Sequence, residues 1–154
     1  MLAVAVAVVL GFSSCGSDDD DADTALASQV IGSYTGEEVL TVMGDDTNST
    51  TTYEFTKSSD ISVDMTIPST AGGGPMALPA LPVKNITLLK SGNAITGKIS
   101  SFSGTVVNAD GAEKSYSVSN MVAIFSDKAV VVTYELKYGN MPFAFIGKFT
   151  GTKK

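Results

Sequence analysis

Apolar and polar residues alternate with a period of two through much of this chain, and this pattern limits the fold more than any other feature of the sequence. In Asp60 to Ile67 every odd position is apolar and every even position is polar, and the segment 130–138 repeats the pattern. Successive side chains of a strand point to opposite faces, so each segment predicts a strand with one buried and one hydrated face. Because no segment after residue 14 has a sustained helical period, we predict an all-β fold.

Less regular strands are predicted between turn sequences that are rich in Gly, Asn and Asp. They cover residues 34–43, 50–57, 83–90, 94–100, 102–107, 115–125 and 141–149. Gly147 interrupts the last of them, where we expect a bulge, a bend or a close backbone approach. The hairpin spacing predicts an antiparallel up-and-down β-barrel of about eight to nine strands, because closure removes the exposed edges of a sheet.

The segment from Pro68 to Pro82 has a different composition, with four prolines and three consecutive glycines. Proline cannot donate to a strand ladder, so we predict no strand here. Met76, Leu78 and Leu81 give the segment an apolar side. We expect either a lid over a ligand or a plug in one end of the barrel.

The composition excludes several kinds of catalytic and metal site. The chain has no His and no Trp, its basic residues are all Lys, and Cys15 is its single Cys. A Ser or Cys nucleophile would lack its His base, and zinc, copper or haem would lack their usual ligands. The chain also has no basic run and no Gly-rich phosphate loop, so we expect no nucleic acid partner. We predict no metal and no cofactor.

Carboxylate chemistry is the remaining catalytic route, since glycoside hydrolysis needs only two acids that lie roughly 5–10 Å apart. Six acids could supply such a pair: Glu37, Glu38, Asp60, Asp64, Asp127 and Glu135. The alternation places most of them on outward faces or in turns, where acids ordinarily promote solubility. We therefore expect the protein not to be an enzyme.

The N-terminal segment resembles that of a bacterial lipoprotein. Residues 1–12 form an apolar run that is shorter than the roughly 20 residues of a membrane-spanning helix. Residues 12–15, Phe-Ser-Ser-Cys, resemble a lipobox, which implies a signal peptide over 1–14 and lipidation of Cys15. We expect an acidic tether over 15–28 and the folded domain over 29–154. The first basic residue is Lys57, so we expect the natural N-terminus to lie upstream of Met1.

An acidic run, Asp18 to Asp21, follows the predicted lipidation site and resembles the surface-export signal of lipoproteins in Bacteroidetes-type bacteria. This resemblance implies an outer-membrane protein that is displayed on the cell surface and held by its lipid. The alternative is an ordinary solvated linker of like charge. Residues 23–25, Asp-Thr-Ala, resemble an O-glycosylation motif of those bacteria, which would make Thr24 the modified residue.

The folded part resembles the calycin-like lipoproteins of gut Bacteroides, whose small barrels are similar to lipocalins. The resemblance rests on residues 30–36, Val-Ile-Gly-Ser-Tyr-Thr-Gly, and on the closing segment 145–153. Lipocalins carry Gly-x-Trp on the first strand, with a late basic residue packed over the Trp. Here Tyr34 replaces the Trp, and Lys148 or Lys153 would cover it. The resemblance implies a barrel of about eight strands and does not identify a ligand.

Two functions fit these observations. The first is a binding module that holds a small apolar or amphipathic molecule, or one end of a glycan, in the mouth of the barrel. Its inner-wall candidates are aromatic: Tyr53, Phe55, Phe102, Phe143, Phe145 and Phe149. The alternative for these six residues is a packed core, because an eight-stranded barrel can just fill its own interior. The second function is a non-catalytic accessory or inhibitor protein that docks on an outer-membrane or foreign protein.

Overall fold

Eight antiparallel strands form one closed barrel, in which each strand pairs with the next along the chain and the last pairs with the first. The computed structural model describes residues 26–69, 78–108, 111–140 and 142–154. The elements are α1 (Leu26–Val30), β1 (Gly32–Val42), β2 (Asp45–Ser59), β3 (Ser62–Ile67), β4 (Leu81–Ser91), β5 (Ala94–Val107), β6 (Glu113–Ser126), β7 (Ala129–Tyr138) and β8 (Phe145–Lys153). The predicted all-β antiparallel barrel is confirmed.

Several predictions concern residues outside the described ranges. These are the signal peptide over 1–14, the lipidation site Cys15, the glycosylation site Thr24, most of the tether, and Met76. Among the residues that the structure does describe, no helix has both the length and the apolar character needed to cross a membrane.

The two clearest alternating segments form strands with the predicted orientation. In β3, Val63, Met65 and Ile67 are buried. In β7, alternate residues from Val130 to Tyr138 are buried and the polar positions between them are exposed. Ile61 belongs to the same pattern but is 50% exposed, because it lies in the turn before β3. In these two segments, period-two alternation therefore predicted the inner face for the residues that lie within a strand.

Several strand boundaries differ from the sequence prediction, such as the start of β2 at Asp45 rather than at residue 50. Two of the differences have a clear physical reason. Strand β5 joins two segments, 94–100 and 102–107, that were predicted as separate strands. Its pairing with β6 continues from Ala94 to Val107, although its inward face changes between Ile99 and Phe102. The last strand begins at Phe145 rather than at residue 141. Phe145 pairs with the last residue of β1, so earlier residues have no β1 partner to extend the ladder.

Strands β4 and β5 separate over part of their length. Their pairing runs only from Thr87 with Lys98 to Ser91 with Ala94, so residues 81–86 of β4 have no ladder partner in β5. Pro82 lies in this unpaired stretch, although no strand was predicted there. The Pro82 carbonyl points to the side without a ladder, where it accepts a hydrogen bond from the Tyr116 hydroxyl. Because the N–H and C=O of a strand residue point the same way, the missing N–H of Pro82 lies on this side too, and the strand tolerates it.

Helix α1 packs against one end of the barrel. Leu26, Ala27 and Val30 are buried, and the Ala27 amide donates a hydrogen bond to the Asp60 carbonyl at 3.0 Å. Residues 26–28 were assigned to the tether, and no helix was predicted, because one turn is too short to establish a helical period. The opposite end of the barrel, where β3 ends and β4 begins, is called the far end below.

Candidate functional site

The most unusual interior residue is Glu38 of β1, a carboxylate that is only 3% exposed. It is the one buried charged residue in the described part of the chain. On β1 it shares its inward face with Tyr34 and Leu40, which lie an even number of positions away. The strand register therefore directs this acid into the barrel, although the sequence analysis placed most acids outside.

Two tyrosine hydroxyls bind the same oxygen of this carboxylate. Tyr134 of β7 donates to Glu38 Oε2 at 3.0 Å, and Tyr53 of β2 donates to the same atom through a short hydrogen bond. The two hydroxyl oxygens are 3.0 Å apart. We call these three residues the Glu38 cluster. It joins strands that lie far apart in the sequence, since Glu38 and Tyr134 are separated by 96 residues.

One glycine and one aromatic stack position the cluster. A Cβ atom on Gly147 of β8 would collide with the ring of Tyr134, so glycine is what allows this ring to lie across the strand. Gly147 was predicted to mark a bulge, a bend or a close approach, and it is a close approach, because the β7–β8 register is unbroken there. The ring of Phe149 stacks on Tyr53, with centroids 4.2 Å apart and an interplanar angle of 19°.

Burial keeps both cluster tyrosines protonated. Loss of solvation raises the pKa of Tyr53 well above its usual value, and the neighbouring Tyr134 and Glu38 raise it further. Loss of solvation and the negative charge of Glu38 likewise raise the pKa of Tyr134. Each hydroxyl therefore remains a hydrogen-bond donor over the physiological pH range, and the cluster carries at most the single negative charge of the carboxylate.

The structure separates the six aromatic candidates into two groups. Tyr53, Phe55, Phe145 and Phe149 are buried in the interior, whereas Phe102 and Phe143 are only partly buried. Phe102 packs against Tyr116 and Phe143 against Phe145, with ring centroids 6.2 and 6.0 Å apart. The four buried rings all belong to the hydrophobic core of the barrel.

The end of the barrel near α1 is filled by aromatic rings. Tyr34 meets Phe55 edge-to-face at 5.6 Å and Phe125 at 5.8 Å, and its hydroxyl donates to the carbonyl of Val30 at 2.9 Å. The ammonium of Lys153 lies 5.9 Å from the Tyr34 ring centroid. Of the two lysines predicted to cover this ring, Lys153 therefore does so, while Lys148 faces outward.

The other candidate acids lie outside the interior. Glu37 and Glu135 face outward and are exposed, and Asp60 and Asp127 lie in exposed turns. Asp64 is partly buried, accepts a hydrogen bond from the Asn85 amide at 2.9 Å and pairs with Lys84 at 3.6 Å. Within the described ranges, no three Asp, Glu, His or Cys residues come together in a way that could hold a metal ion.

Sequence analysis missed the central role of Glu38 and the contribution of Tyr134 as its partner. One signal was available for Glu38, because it shares parity with Tyr34, Leu40 and Val42 in the predicted first strand. A polar residue at an apolar position of an alternating strand indicates a buried polar group. No local signal could identify the two tyrosine partners.

These features define a small closed up-and-down barrel with a tyrosine-bound carboxylate in its interior. Among solved structures, the chain is similar to a Bacteroides fragilis NCTC 9343 protein named "putative outer membrane protein", with a TM-score of 0.65 and 18% identity. The match covers 84% of this chain and 53% of the other, so the chain spans about half of that protein's length. The similarity supports the fold. No family model matches the chain, and no match was found among curated proteins.

Proposed function

We propose that this protein is a lipid-anchored outer-membrane lipoprotein whose barrel binds one small amphipathic molecule. The observation that carries this proposal is the Glu38 carboxylate inside the barrel, held by two hydroxyls and by no ion-pair partner in the described residues. A barrel interior that served only folding would often be at least as stable with an apolar residue here. An apolar interior with a few convergent polar groups is typical of a ligand site.

The proposed binding position lies between the Glu38 cluster and the far end of the barrel. Along the inward face of β1, exposure rises toward this end, from 2% at Tyr34 to 9% at Leu40, and Val42 is partly exposed. Three further apolar side chains at or toward this end are only partly buried: Phe102, Val106 and Phe143. They offer an apolar wall, and Glu38 offers a polar terminus, so a molecule with both characters fits better than a purely apolar one.

The proposed location rests on the N-terminal sequence. Lipidation of Cys15 would attach the protein to the outer membrane, and the acidic run after it would direct the protein to the cell surface. The name of the Bacteroides fragilis neighbour is compatible with this location. We also propose membership of the calycin-like lipoproteins, supported by the eight-stranded barrel and by the packing of Lys153 over Tyr34.

We further propose that the protein is not an enzyme. Of the six acids that could have formed a hydrolytic pair, Glu38 alone is buried inside the barrel, and four of the others are exposed on outer faces or in turns. Assay of the purified protein against chromogenic glycosides tests this. Turnover that is lost in Glu38→Gln would contradict the proposal.

A direct test measures uptake of a fluorescent fatty acid and binding to a glycan array by the purified protein. We expect saturable binding of one ligand molecule per chain. Val106→Trp places a large side chain on the inward, partly buried face of the far end and should abolish binding. The matched control is Val107→Trp, because Val107 is the next residue, faces outward and is 63% exposed.

Two results would contradict the binding proposal. One is the failure of every probe to bind, including fatty acids, glycans and alkyl chains with a neutral or cationic head, and the other is equal binding by the two Trp variants. If the probes fail and the intact lipoprotein is recovered from detergent-solubilised membranes in a stable protein complex, the accessory or inhibitor function would be favoured instead.

A further inference from the structure

We propose that the polar head of the bound molecule is a protonated amine, which the Glu38 carboxylate receives inside the barrel. This inference rests on the proposed ligand-binding function and specifies the chemistry of the ligand. Its basis is the unbalanced charge of the Glu38 cluster and the unoccupied hydrogen-bonding capacity of one carboxylate oxygen.

The charge of Glu38 has no protein counter-ion in the described part of the chain. The ion pairs there join Lys57 to Asp60 and Lys84 to Asp64, both involving outward or turn residues. Lys153 lies over Tyr34, near the end that α1 covers. A buried carboxylate without a cation is unfavourable, and hydrogen bonds from hydroxyls offset only part of the cost. A cationic ligand would supply the missing charge.

The two carboxylate oxygens of Glu38 differ in their surroundings. Oε2 accepts both tyrosine hydroxyls, whereas Oε1 accepts no hydrogen bond from the described residues. In the described residues, no side-chain oxygen is both sealed from solvent and unpaired, so Oε1 must border accessible space. An ionised carboxylate can only accept hydrogen bonds, so a partner at Oε1 has to be a donor.

Charge and aromatic surroundings favour an ammonium over a hydroxyl as this donor. Charge-assisted hydrogen bonds are roughly twice as strong as neutral ones, and only a cation neutralises the carboxylate. The cluster also contains aromatic rings, with Tyr53 stacked on Phe149, and such rings attract cations electrostatically. A sugar hydroxyl would donate to Oε1 but would leave the buried charge uncompensated.

The test compares three probes with the same alkyl chain, octylamine, octanol and octanoate, by titration calorimetry on the purified protein at neutral pH. We expect octylamine to bind at least about tenfold more tightly than octanol. We expect octanoate to bind most weakly, because its charge repels Glu38. This comparison uses the unmodified protein and requires no variant to fold.

Variants then assign the preference to the carboxylate. Glu38→Gln keeps an oxygen acceptor for the tyrosines and removes the charge, so the preference for octylamine over octanol should disappear while octanol still binds. Glu37→Gln is the matched control, because Glu37 is the adjacent residue and faces outward. It should keep the preference.

The outcomes separate the two proposals. Equal affinity for octylamine and octanol, or an amine preference that survives Glu38→Gln, would overturn the amine assignment and leave ligand binding intact. Failure of all three probes and of the fatty acid and glycan panel would overturn both.

Discussion

The hydroxyl of Tyr116 on β6 donates a hydrogen bond to the carbonyl oxygen of Pro82 on β4, at 2.5 Å. The tyrosine reaches β4 by lying over Gly104 of the intervening strand β5, where a Cβ atom would be 2.8 Å from the hydroxyl. It thus supplies a donor to a carbonyl that has no ladder partner, at the point where β4 and β5 separate. One side chain takes the place of a backbone hydrogen bond in this part of the barrel wall.

Removal of this bond should have a measurable effect on stability. We expect Tyr116→Phe to lower the free energy of unfolding by about 1 kcal/mol, because the Pro82 carbonyl loses its donor. Urea denaturation followed by circular dichroism measures the change. Tyr138→Phe is the control, since Tyr138 is also buried and inward-facing but its hydroxyl has no hydrogen bond among the described residues. Equal losses in the two variants would show that the Pro82 bond contributes nothing.

Gly147 should tolerate no side chain. Gly147→Ala would force the new methyl group into the ring of Tyr134. We expect the free energy of unfolding to fall by about 2–3 kcal/mol, which is typical of an overpacked core. Gly97→Ala is the control, because a Cβ atom on this buried glycine would meet methyl groups of Ile86 and Leu88 at 3.0 and 3.3 Å, which is much less close than its approach to the ring at Gly147. We expect a smaller loss there. Chemical denaturation of both variants gives the comparison, and an equal cost would contradict the close approach.

The hydrogen bond from Tyr134 to the carboxylate should contribute more to the free energy of unfolding than a hydrogen bond to a neutral acceptor does. We expect Tyr134→Phe to lower the free energy of unfolding by about 2 kcal/mol, because it leaves the buried Glu38 with a single hydrogen-bond donor. Tyr34→Phe removes a bond of similar length to the Val30 carbonyl, which is uncharged, and should cost about 1 kcal/mol. Denaturation at neutral pH tests the difference. The expectation fails if Tyr34→Phe is the more damaging change.

The barrel should lose stability in alkaline solution. The pKa values of Tyr53 and Tyr134 are raised in the folded state, so both states hold these protons below about pH 10, and only the unfolded state releases them above it. The free energy of unfolding should therefore fall above about pH 10, by about 1.4 kcal/mol per pH unit for each tyrosine.

Two measurements follow this alkaline effect. Urea denaturation at a series of alkaline pH values gives the slope, and tyrosinate absorbance should rise together with unfolding rather than before it. In denaturant, the same absorbance should show all tyrosines titrating near pH 10. Tyr53→Phe and Tyr134→Phe should each reduce the slope. Early ionisation of both residues in the folded protein would contradict their burial.

The main features of the fold could be predicted because they depend on local pattern. Alternation in 60–67 and 130–138 identified strands and their inner faces, and the turn residues gave nearly the correct strand number. The break assigned near Ser101 was wrong because the pairing of β5 with β6 continues through a change of inward face. The strand at Pro82 was missed because its tolerance depends on the absence of a neighbouring ladder, which no local pattern reveals.

The candidate site was less predictable than the fold. Of the six aromatic residues expected at the inner wall, four are fully buried and two are partly buried. Residue type alone could not distinguish the fully buried Tyr53 and Phe55 from the partly buried Phe102 and Phe143. That difference depends on strand register and on the packing around each ring, which are properties of the closed sheet.

The sequence by itself determined an all-β chain with alternating strands, a composition without His or Arg, and an N-terminal segment that resembles a lipoprotein signal. Side-chain alternation is a local property of extended backbone, so it can be recognised without knowledge of strand partners. Tertiary structure alone decided that Glu38, Tyr53 and Tyr134 meet inside the barrel, since their contact depends on closure between β1 and β8 and on the room that Gly147 leaves. Contacts between residues this distant arise from register and packing, which only the folded chain defines.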